Sequence, residues 1–211
     1  MLVLAVDTAT PAVTAGLVAI NDANVETLAE RVTVDARAHG ELLTPHVLAA
    51  LADTGHRLPD LDAIVCGVGP GPFTGLRAGM STAAALGHAL DRPVHPVCTL
   101  DAVAAAVGPG EPLLVATDAR RKEVYWATYD QHGIRTAGPA VDRPDALDHS
   151  GITRIAGMDL FDLPHTGVRY PTPAGLVRAA DLTAEPGPLV PLYLRRPDAV
   201  EPGARKRVTT P

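Results

Sequence analysis

A short apolar strand that ends at an aspartate and leads through a turn into a second strand occurs twice in this chain of 211 residues. The first copy consists of Leu2–Val6 and Asp7, and the second consists of Leu113–Thr117 and Asp118. Short continuous apolar runs are typical of strands that are buried on both faces of a sheet. The recurrence therefore predicts an α/β chain whose two halves begin alike.

Glycine and proline mark a boundary between the two copies, in the sequence Gly-Pro-Gly-Glu-Pro that begins at residue 108. We place an N-terminal lobe at residues 1–107 and a C-terminal lobe at residues 108–211, and both are near the usual size of a small domain. Pro, Gly and Asp are frequent in residues 138–173. The second lobe is therefore expected to be abbreviated and loop-rich, with one strand at Thr153–Gly157.

Apolar residues at helical spacing predict two longer helices in the N-terminal lobe. The first has them at i, i+4, i+7 and i+8 and is ended by Gly55. Pro45 either marks its first turn, with Thr44 as the cap, or kinks it. The second helix is predicted from Thr74 to about Leu90. The other predicted elements are strands at Val13–Ile20, Glu26–Val34, Ile64–Val68, Val94–Val97 and Glu123–Tyr129, helices at Leu100–Val107 and Ala174–Leu182, and a docking segment at Leu189–Leu194.

A stripe of small residues follows the second helix at i, i+4, i+8 and i+12. Its members are Gly75, Gly79, Ala83 and Gly87. Glycine inside a helix costs about 1 kcal/mol relative to alanine, so three of them predict the close approach of another backbone. An adjoining apolar stripe that includes Leu76, Met80 and Leu90 could face another way. Two interpretations stay open, because the helix could pack only within the core or could also meet another chain.

The loop before the second helix has features of an anion-binding turn. It contains Gly71 and leads to Thr74 and Arg77, and helix N-termini expose N–H donors and the positive end of the helix dipole. The loop lacks the Lys-Ser/Thr of a Walker loop and the glycine spacing of a dinucleotide site. The alternative interpretation is a tight strand-to-helix turn with Thr74 as the N-cap.

Asp7 and Asp118 occupy the positions at which two-lobed kinase-like folds hold metal and phosphate. Such sites need glycine beside the aspartate so that backbone amides can approach phosphate, and this chain has Ala9 and Ala119 there. A turn or capping role is therefore the stronger interpretation of both aspartates. No catalytic residue is predicted.

The histidines and cysteines do not form a predicted metal site. His39 and His46 are seven residues apart, or about 10 Å along a helix axis, so both cannot bind one ion with bonds near 2 Å. His39 is expected to cap its helix or to be an exposed contact residue. Cys66 and Cys98 are isolated in apolar stretches and are expected to be free thiols.

Charge and composition restrict the class of protein further. The chain has 24 acidic and 18 basic residues, for a net charge of −6, which argues against a stand-alone nucleic-acid clamp held by phosphate contacts. It has only 2 Phe, 4 Tyr and 1 Trp, which leaves few side chains for stacking bases. No signal peptide and no membrane span is expected, so the sequence predicts a soluble cytoplasmic protein.

Five sequence blocks carry a resemblance to a known family. In chain order they are Leu4-Ala5-Val6-Asp7-Thr8-Ala9, His39-Gly40-Glu41-Leu42-Leu43-Thr44-Pro45, Gly69-Pro70-Gly71-Pro72-Phe73-Thr74-Gly75-Leu76-Arg77, Asp118-Ala119-Arg120-Arg121-Lys122-Glu123-Val124-Tyr125 and Tyr193-Leu194-Arg195-Arg196-Pro197. Together these blocks resemble the TsaB (YeaZ) family, whose members are subunits of the tRNA threonylcarbamoyladenosine (t6A) machinery. The resemblance implies a two-lobed actin-like (ASKHA, ribonuclease H-like) α/β fold with a mixed sheet and helices in each lobe.

The resemblance also implies a role. The family member is a non-catalytic paralogue of the transferase TsaD, pairs with it and activates it, and is joined by the ATPase TsaE. It forms a homodimer when alone, meets tRNA only through the complex, and has no membrane contact. No cofactor of its own is implied, because ATP, Mg²⁺ and a metal ion are bound by the partner subunits. The pairing helices correspond to about His39–Thr54 and Thr74–Leu90.

Two sets of residues follow from the resemblance. The implied partner interface consists of His39, Leu43, Val47, Ala50, Gly75, Leu76, Gly79, Met80, Ala83 and Gly87. A vestigial nucleotide or anion site would consist of Asp7, Thr8, Gly71, Thr74, Arg77 and Asp118.

The chain departs from the related sequences at three places. Leu43 stands where the catalytic paralogue has the second histidine of its metal site. Pro72 replaces the usual serine and removes a hydroxyl, which argues against anion binding by this loop. Gly157-Met158-Asp159 departs from the usual Gly-x-Gly, which argues against nucleotide binding by this subunit. An enzyme of the same fold, metallopeptidase-like or small-molecule kinase-like, is the alternative function. A third possibility is direct tRNA binding through Arg120, Arg121 and Lys122 together with the basic tail Arg205-Lys206-Arg207.

Overall fold

Residues 1–22 and 24–195 are described by the structure, a computed structural model, and form two mixed β-sheets with four α-helices. The predicted α/β fold class with a mixed sheet in each half is confirmed. The last two residues of the fifth block and the basic tail Arg205-Lys206-Arg207 lie outside the described residues.

The first sheet has five strands in the order β3-β2-β1-β4-β5. Strands β1, β2 and β3 are antiparallel neighbours, whereas β4 runs parallel to both β1 and β5. The central strand β1 is apolar and almost entirely buried, because helices cover the sheet on both faces. The strands are β1 Leu2–Asp7, β2 Ala12–Asn21, β3 Asn24–Val34, β4 Ala63–Gly67 and β5 Val94–Val97.

The second sheet repeats this beginning in a smaller form. Its order is β8-β7-β6-β9, with an antiparallel hairpin β6-β7 and a parallel strand β9 beside β6. The sequence prediction missed β8, an edge strand that is largely exposed and contains Gly138 and Pro139, two residues that argue against a strand. The strands are β6 Leu113–Asp118, β7 Val124–Tyr129, β8 Arg135–Asp142 and β9 Arg154–Gly157.

The four helices are α1 His39–Thr54, α2 Phe73–Leu90, α3 Thr99–Val107 and α4 Pro173–Ala179. Helices α1 and α2 cover one face of the first sheet, and α4 packs on the opposite face together with one side of α3. The other side of α3 packs on the second sheet. In the part of the chain that the structure describes, no helix has both the length and the apolarity needed to cross a membrane. The lobe boundary at residue 107 stays a prediction. Helix α4 packs on the first sheet, although it follows the strands of the second sheet in the sequence.

The ends of the helices differ in part from the sequence prediction. Gly55 ends α1 with a left-handed φ of 71°, as predicted. Pro45 does not mark the first turn, because α1 begins six residues earlier. Thr74 is not the N-cap of α2, since Pro72 occupies that position and Thr74 is already helical and exposed. Helix α4 stops at Ala179, three residues earlier than expected.

The residues predicted at a partner interface lie in the core of this chain. All ten are buried, because the apolar stripes of α1 and α2 face the sheet beneath. Both stripes of α2 point inwards, so core packing is the interpretation that holds for these positions. Any partner of α1 and α2 must contact the outer faces of the helices.

Glycines in α2 allow the helix to lie against the turn that follows β1. The Thr8 hydroxyl donates a hydrogen bond to the carbonyl oxygen of Gly75 at 2.7 Å and accepts one from the Gly79 N–H at 2.9 Å. A Cβ on Gly75 would lie 2.6 Å from the Thr8 carbonyl oxygen, which is far closer than van der Waals contact. Further along the helix, a Cβ on Gly87 would overlap the side chain of Val94 in β5.

A buried carboxylate joins the end of β1 to α3. One oxygen of Asp7 accepts a hydrogen bond from the Ala9 N–H at 2.9 Å, and the other accepts one from the Thr99 hydroxyl at 2.6 Å. Asp7 is fully buried, and burial raises its pKa from 3.8 to about 6, although these hydrogen bonds act in the opposite direction. Gly67 of β4 leaves room for the carboxylate, which a side chain there would overlap.

Replacing Gly75 by alanine should destabilise the protein, although alanine is the better helix former. We expect Gly75→Ala to lower the free energy of unfolding by about 2 kcal/mol, because the methyl group would push α2 away from Thr8. Urea unfolding followed by circular dichroism measures the change. Gly40→Ala in α1 is the matched control, since nothing lies within 4 Å of its added Cβ, and it should gain up to about 1 kcal/mol. Equal stability of Gly75→Ala and the wild type would contradict the close approach.

Asp7 should make the protein less stable as the pH rises from 4 to 7. The folded state binds the Asp7 proton more tightly than the unfolded chain does. The contribution of this proton to the free energy of unfolding is therefore fully present below pH 3.8 and is lost as the pH rises through about 6. This shift in the pKa of Asp7 corresponds to a decrease in the free energy of unfolding of about 3 kcal/mol between low and neutral pH. Asp7→Asn lacks this titration, so its stability relative to the wild type should increase over the same range. Urea unfolding of both proteins at several pH values tests this, and a difference independent of pH would refute it.

Candidate functional site

A cavity of about 380 Å³ lies in the cleft between the two sheets. The loop before α2 and the first turn of that helix line one side, and the β6-β7 hairpin lines the other. The cavity is at the carboxyl ends of the parallel strands β1 and β4, which is a common place for ligand sites in α/β proteins.

The structure does not bring the six residues of the predicted anion site together. Gly71, Thr74 and Asp118 line the cavity. Asp7 and Thr8 lie beneath it, fully or almost fully buried, with their side-chain oxygens bonded to protein groups. Neither buried side chain is therefore available to a ligand in the cleft.

Both aspartates have the turn role that the sequence favoured. The Asp118 carboxylate accepts a hydrogen bond from the N–H of Arg120 at 2.8 Å, just as Asp7 accepts one from Ala9. Each aspartate therefore fixes the turn that leads from the first to the second strand of its sheet. This use of the carboxylate explains why an aspartate ends the first strand in both halves.

His39 is neither a helix cap nor an exposed contact residue, which corrects that expectation. It is the first residue of α1 and only 7% exposed, and its Nε2–H donates to the Thr10 carbonyl oxygen at 2.8 Å. His46 is hydrogen-bonded to the Thr33 hydroxyl at 2.9 Å. Within residues 1–22 and 24–195, no group of three or more His, Cys, Asp or Glu side chains could hold a metal ion. Cys66 is buried and Cys98 half-buried, and both are free thiols, as predicted.

The segment of residues 189–195, here called the C-terminal strap, is bound to the first sheet at one end. The Leu192 N–H donates to the Val68 carbonyl oxygen at 2.8 Å. The ring of Tyr193 stacks on that of Phe73 with centroids 4.3 Å apart, and the tyrosine hydroxyl accepts a hydrogen bond from the Arg77 guanidinium at 3.0 Å. The predicted docking of Leu189–Leu194 is thus confirmed.

The other end of the strap is bound to the second sheet. Arg195 donates to the Ala119 carbonyl oxygen at 2.6 Å and forms an ion pair with Glu123 at 2.7 Å. The strap therefore bridges the cleft. The sequence indicated docking here but not the bridge, since its partners lie more than 70 residues away in the chain.

The tip of the β6-β7 hairpin has an uncommon backbone. Arg120, Arg121 and Lys122 follow one another with φ values of 62°, 53° and 64°, in the left-handed region. This region costs roughly 1–2 kcal/mol for each residue that has a side chain, and glycine is the usual occupant. Hydrogen bonds of 3.0 Å from the Ala119 N–H to the Glu123 carbonyl and from the Glu123 N–H to the Arg120 carbonyl close the turn.

The outer faces of α1 and α2 form a second candidate site. Residues 78–90 of α2 contain no Asp, Glu, Lys or Arg. Yet α2 is exposed on this side, and Leu48 of α1 is 52% exposed. A helix that faces only water normally carries charged residues on its outer side. The exposed residues of α2 in this stretch are Ser81, Ala84, Ala85, His88 and Ala89.

Comparison with known proteins identifies the family. The family model for TsaD, described as tRNA N6-adenosine threonylcarbamoyltransferase, matches residues 26–179. An uncharacterized protein of Mycobacterium tuberculosis is 59% identical over 202 residues, which cover 93% of each chain. The Escherichia coli tRNA threonylcarbamoyladenosine biosynthesis protein TsaB is 37% identical over 166 residues, which cover 74% of this chain and 68% of that protein.

Two solved structures from Pseudomonas aeruginosa are similar to the whole fold. A protein described as similar to peptidase YeaZ matches with a TM-score of 0.75 and 28% identity, over 92% of this chain and 99% of that chain. YeaZ itself matches with a TM-score of 0.69 and 29% identity, over 83% and 88%. The five sequence blocks, the two mixed sheets and these relatives agree, and the chain belongs to the TsaB (YeaZ) family of tRNA threonylcarbamoyladenosine biosynthesis proteins.

Proposed function

We propose that this chain is a non-catalytic partner subunit in t6A synthesis, which pairs with the transferase TsaD through the outer faces of α1 and α2. Pairing would form and hold the active state of TsaD. Membership in the TsaB family supports a role in t6A synthesis. The observation that carries the pairing surface is the exposed face of α2, which has no charged residue from residue 78 to residue 90.

The small side chains of this face support pairing with another helix. Ser81, Ala84, Ala85 and Ala89 project little from the helix, so a second helix can approach closely along its length. Leu48 of the neighbouring α1 adds an exposed apolar side chain that could insert between the helices of a partner. The face therefore combines close backbone approach with an exposed apolar side chain and a lack of charged residues, which favours contact with a protein over contact with water.

The enzyme alternative has less support from the cleft. A metal-phosphate site would need the carboxylate of Asp7, but both oxygens of this group are hydrogen-bonded inside the core. Asp118 is exposed, but one of its oxygens is bound to the backbone of its own turn. Three of the four carboxylate oxygens of the two aspartates are thus engaged within the protein, whereas metallopeptidase-like or kinase-like chemistry would need several oxygen ligands for a metal.

The same proposal covers the other partners. TsaE would join the paired subunits, and the tRNA would be bound by the complex, in the cytoplasm. ATP, Mg²⁺ and a metal ion would be supplied to the reaction by the partner subunits. When TsaD is absent, a second copy of this chain would cover the outer face of α2, because a smooth apolar helix face can also pair with itself.

A charge placed on the outer face of α2 should prevent pairing without unfolding the chain. We expect Ala85→Glu to weaken binding to TsaD from the same organism at least about tenfold, because the carboxylate would be buried against apolar groups. Its thermal unfolding midpoint should be unchanged, since Ala85 is exposed. Gel filtration of the mixed proteins and isothermal titration calorimetry measure the effect.

Ala137→Glu is the matched control, because Ala137 is an exposed alanine on β8 of the second sheet. It should pair with TsaD as well as the wild type does. Wild-type affinity of Ala85→Glu would place the interface elsewhere, and failure of the wild-type chain to bind TsaD would overturn the proposed function.

A further inference from the structure

We infer that the tip of the β6-β7 hairpin, residues 120–122, contacts the phosphate backbone of the tRNA on which the complex acts. The inference rests on the proposed function, because that function brings the tRNA to the complex. It adds a contact that this subunit itself makes with the nucleic acid. Three successive cationic residues in a strained backbone carry it, and the first of them, Arg120, lines the cavity in the cleft.

The strain indicates that the side chains are needed. A left-handed backbone favours glycine, and Arg, Arg and Lys occupy all three positions instead. Strained residues of this kind persist where the surrounding structure holds them and where their side chains have a role. Glycine would adopt this left-handed backbone at a lower conformational cost than Arg or Lys. We therefore attribute the presence of arginine and lysine to a role of their guanidinium and ammonium groups.

The surroundings hold the tip in place. The Asp118 carboxylate accepts from the Arg120 N–H at 2.8 Å, and two backbone hydrogen bonds close the turn between Ala119 and Glu123. From outside the hairpin, Arg195 of the C-terminal strap binds the Ala119 carbonyl oxygen and the Glu123 carboxylate. The tip is thereby presented as a rigid element, so that little ordering is needed when a ligand binds.

The charges of Arg120 and Lys122 at the tip are available to a ligand. Among the described residues, neither the Arg120 guanidinium nor the Lys122 ammonium has a hydrogen bond or an ion pair to a side chain, and both residues are exposed. Two acids of the hairpin flank these cations: Glu123 is paired with Arg195, and Asp118 accepts a hydrogen bond from the Arg120 N–H with one of its oxygens. The tip is therefore locally cationic on a chain whose net charge is −6.

A phosphodiester backbone fits this arrangement best. The exposed cations Arg120 and Lys122 can contact phosphates, and such contacts position a nucleic acid without reading its sequence. An acidic protein surface is the other conceivable occupant. We favour RNA because relatives of this chain are named for tRNA modification, so that a polyanion is the substrate of the reaction.

Steady-state kinetics of the reconstituted complex with varied tRNA concentration test the inference. The double variant Arg120→Glu/Lys122→Glu should raise the KM for tRNA at least about fivefold and leave kcat unchanged. When binding of tRNA by the complex is measured at several salt concentrations, the plot of log affinity against log salt should become less steep. Its slope should decrease in magnitude by about 1 for each cation removed. Arg120→Lys/Lys122→Arg, which keeps both charges, should retain the wild-type KM.

A glycine variant separates the role of the side chains from that of the backbone. Arg120→Gly/Lys122→Gly relieves the left-handed strain, so it should raise the thermal unfolding midpoint while it also raises the KM for tRNA. A purely structural role predicts the higher midpoint with an unchanged KM, and that result would overturn the inference. Arg57→Glu is the control for general electrostatics, since Arg57 is exposed and precedes β4 at the end of the first sheet away from the cleft.

The failures can be told apart by gel filtration of each variant with TsaD. If the complex forms and the KM for tRNA stays at the wild-type value, or rises equally in Arg57→Glu, the inference falls and the proposed function stands. If charge reversal at the tip prevents complex formation, the tip is a protein contact and the inference falls as well. If the wild-type chain forms no complex, both proposals fall.

Discussion

The close approach of α2 to the turn after β1 is the contact on which much of the structure depends. Thr8 both donates to and accepts from the helix backbone, and only glycine at positions 75 and 79 leaves room for it. The contact fixes the rotation of α2 about its axis, so the glycine stripe and the apolar stripe both face inwards. The same rotation places the loop before α2 at the edge of the cleft.

The outer face of α2 is a consequence of that rotation. With its large apolar residues from Leu76 to Leu90 turned towards the sheet, the helix presents mainly alanine, with one serine and one histidine, to the outside, next to the exposed Leu48. The ten positions that the family resemblance suggested for pairing are therefore interior, and the surface that supports pairing is their opposite face. The pairing helices stay the same in the proposal, but the contact residues do not.

The two sheets are joined by more than the chain connection between them. Helix α3 packs against both, and the C-terminal strap binds the end of β4 through Leu192, helix α2 through Tyr193 and the β6-β7 hairpin through Arg195. The strap also holds the hairpin tip that we infer to contact tRNA. A substitution in the strap would thus reach the cleft and the tip together, because the same arginine fixes both.

The sequence by itself determined most of the fold, since periodicity and turn residues report local backbone preference. It predicted eight of the strands and all four helices in outline, the recurrence of strand, turn and strand, and the turn role of both aspartates. It missed β8, where Gly138 and Pro139 hide an edge strand. Only the tertiary structure decided which face of α2 is buried, which partners the strap binds and how the hairpin tip is strained. The buried face of α2 and the partners of the strap depend on contacts between residues more than 60 positions apart, which no local pattern encodes, and the tip is also held by Arg195 from a distant part of the chain.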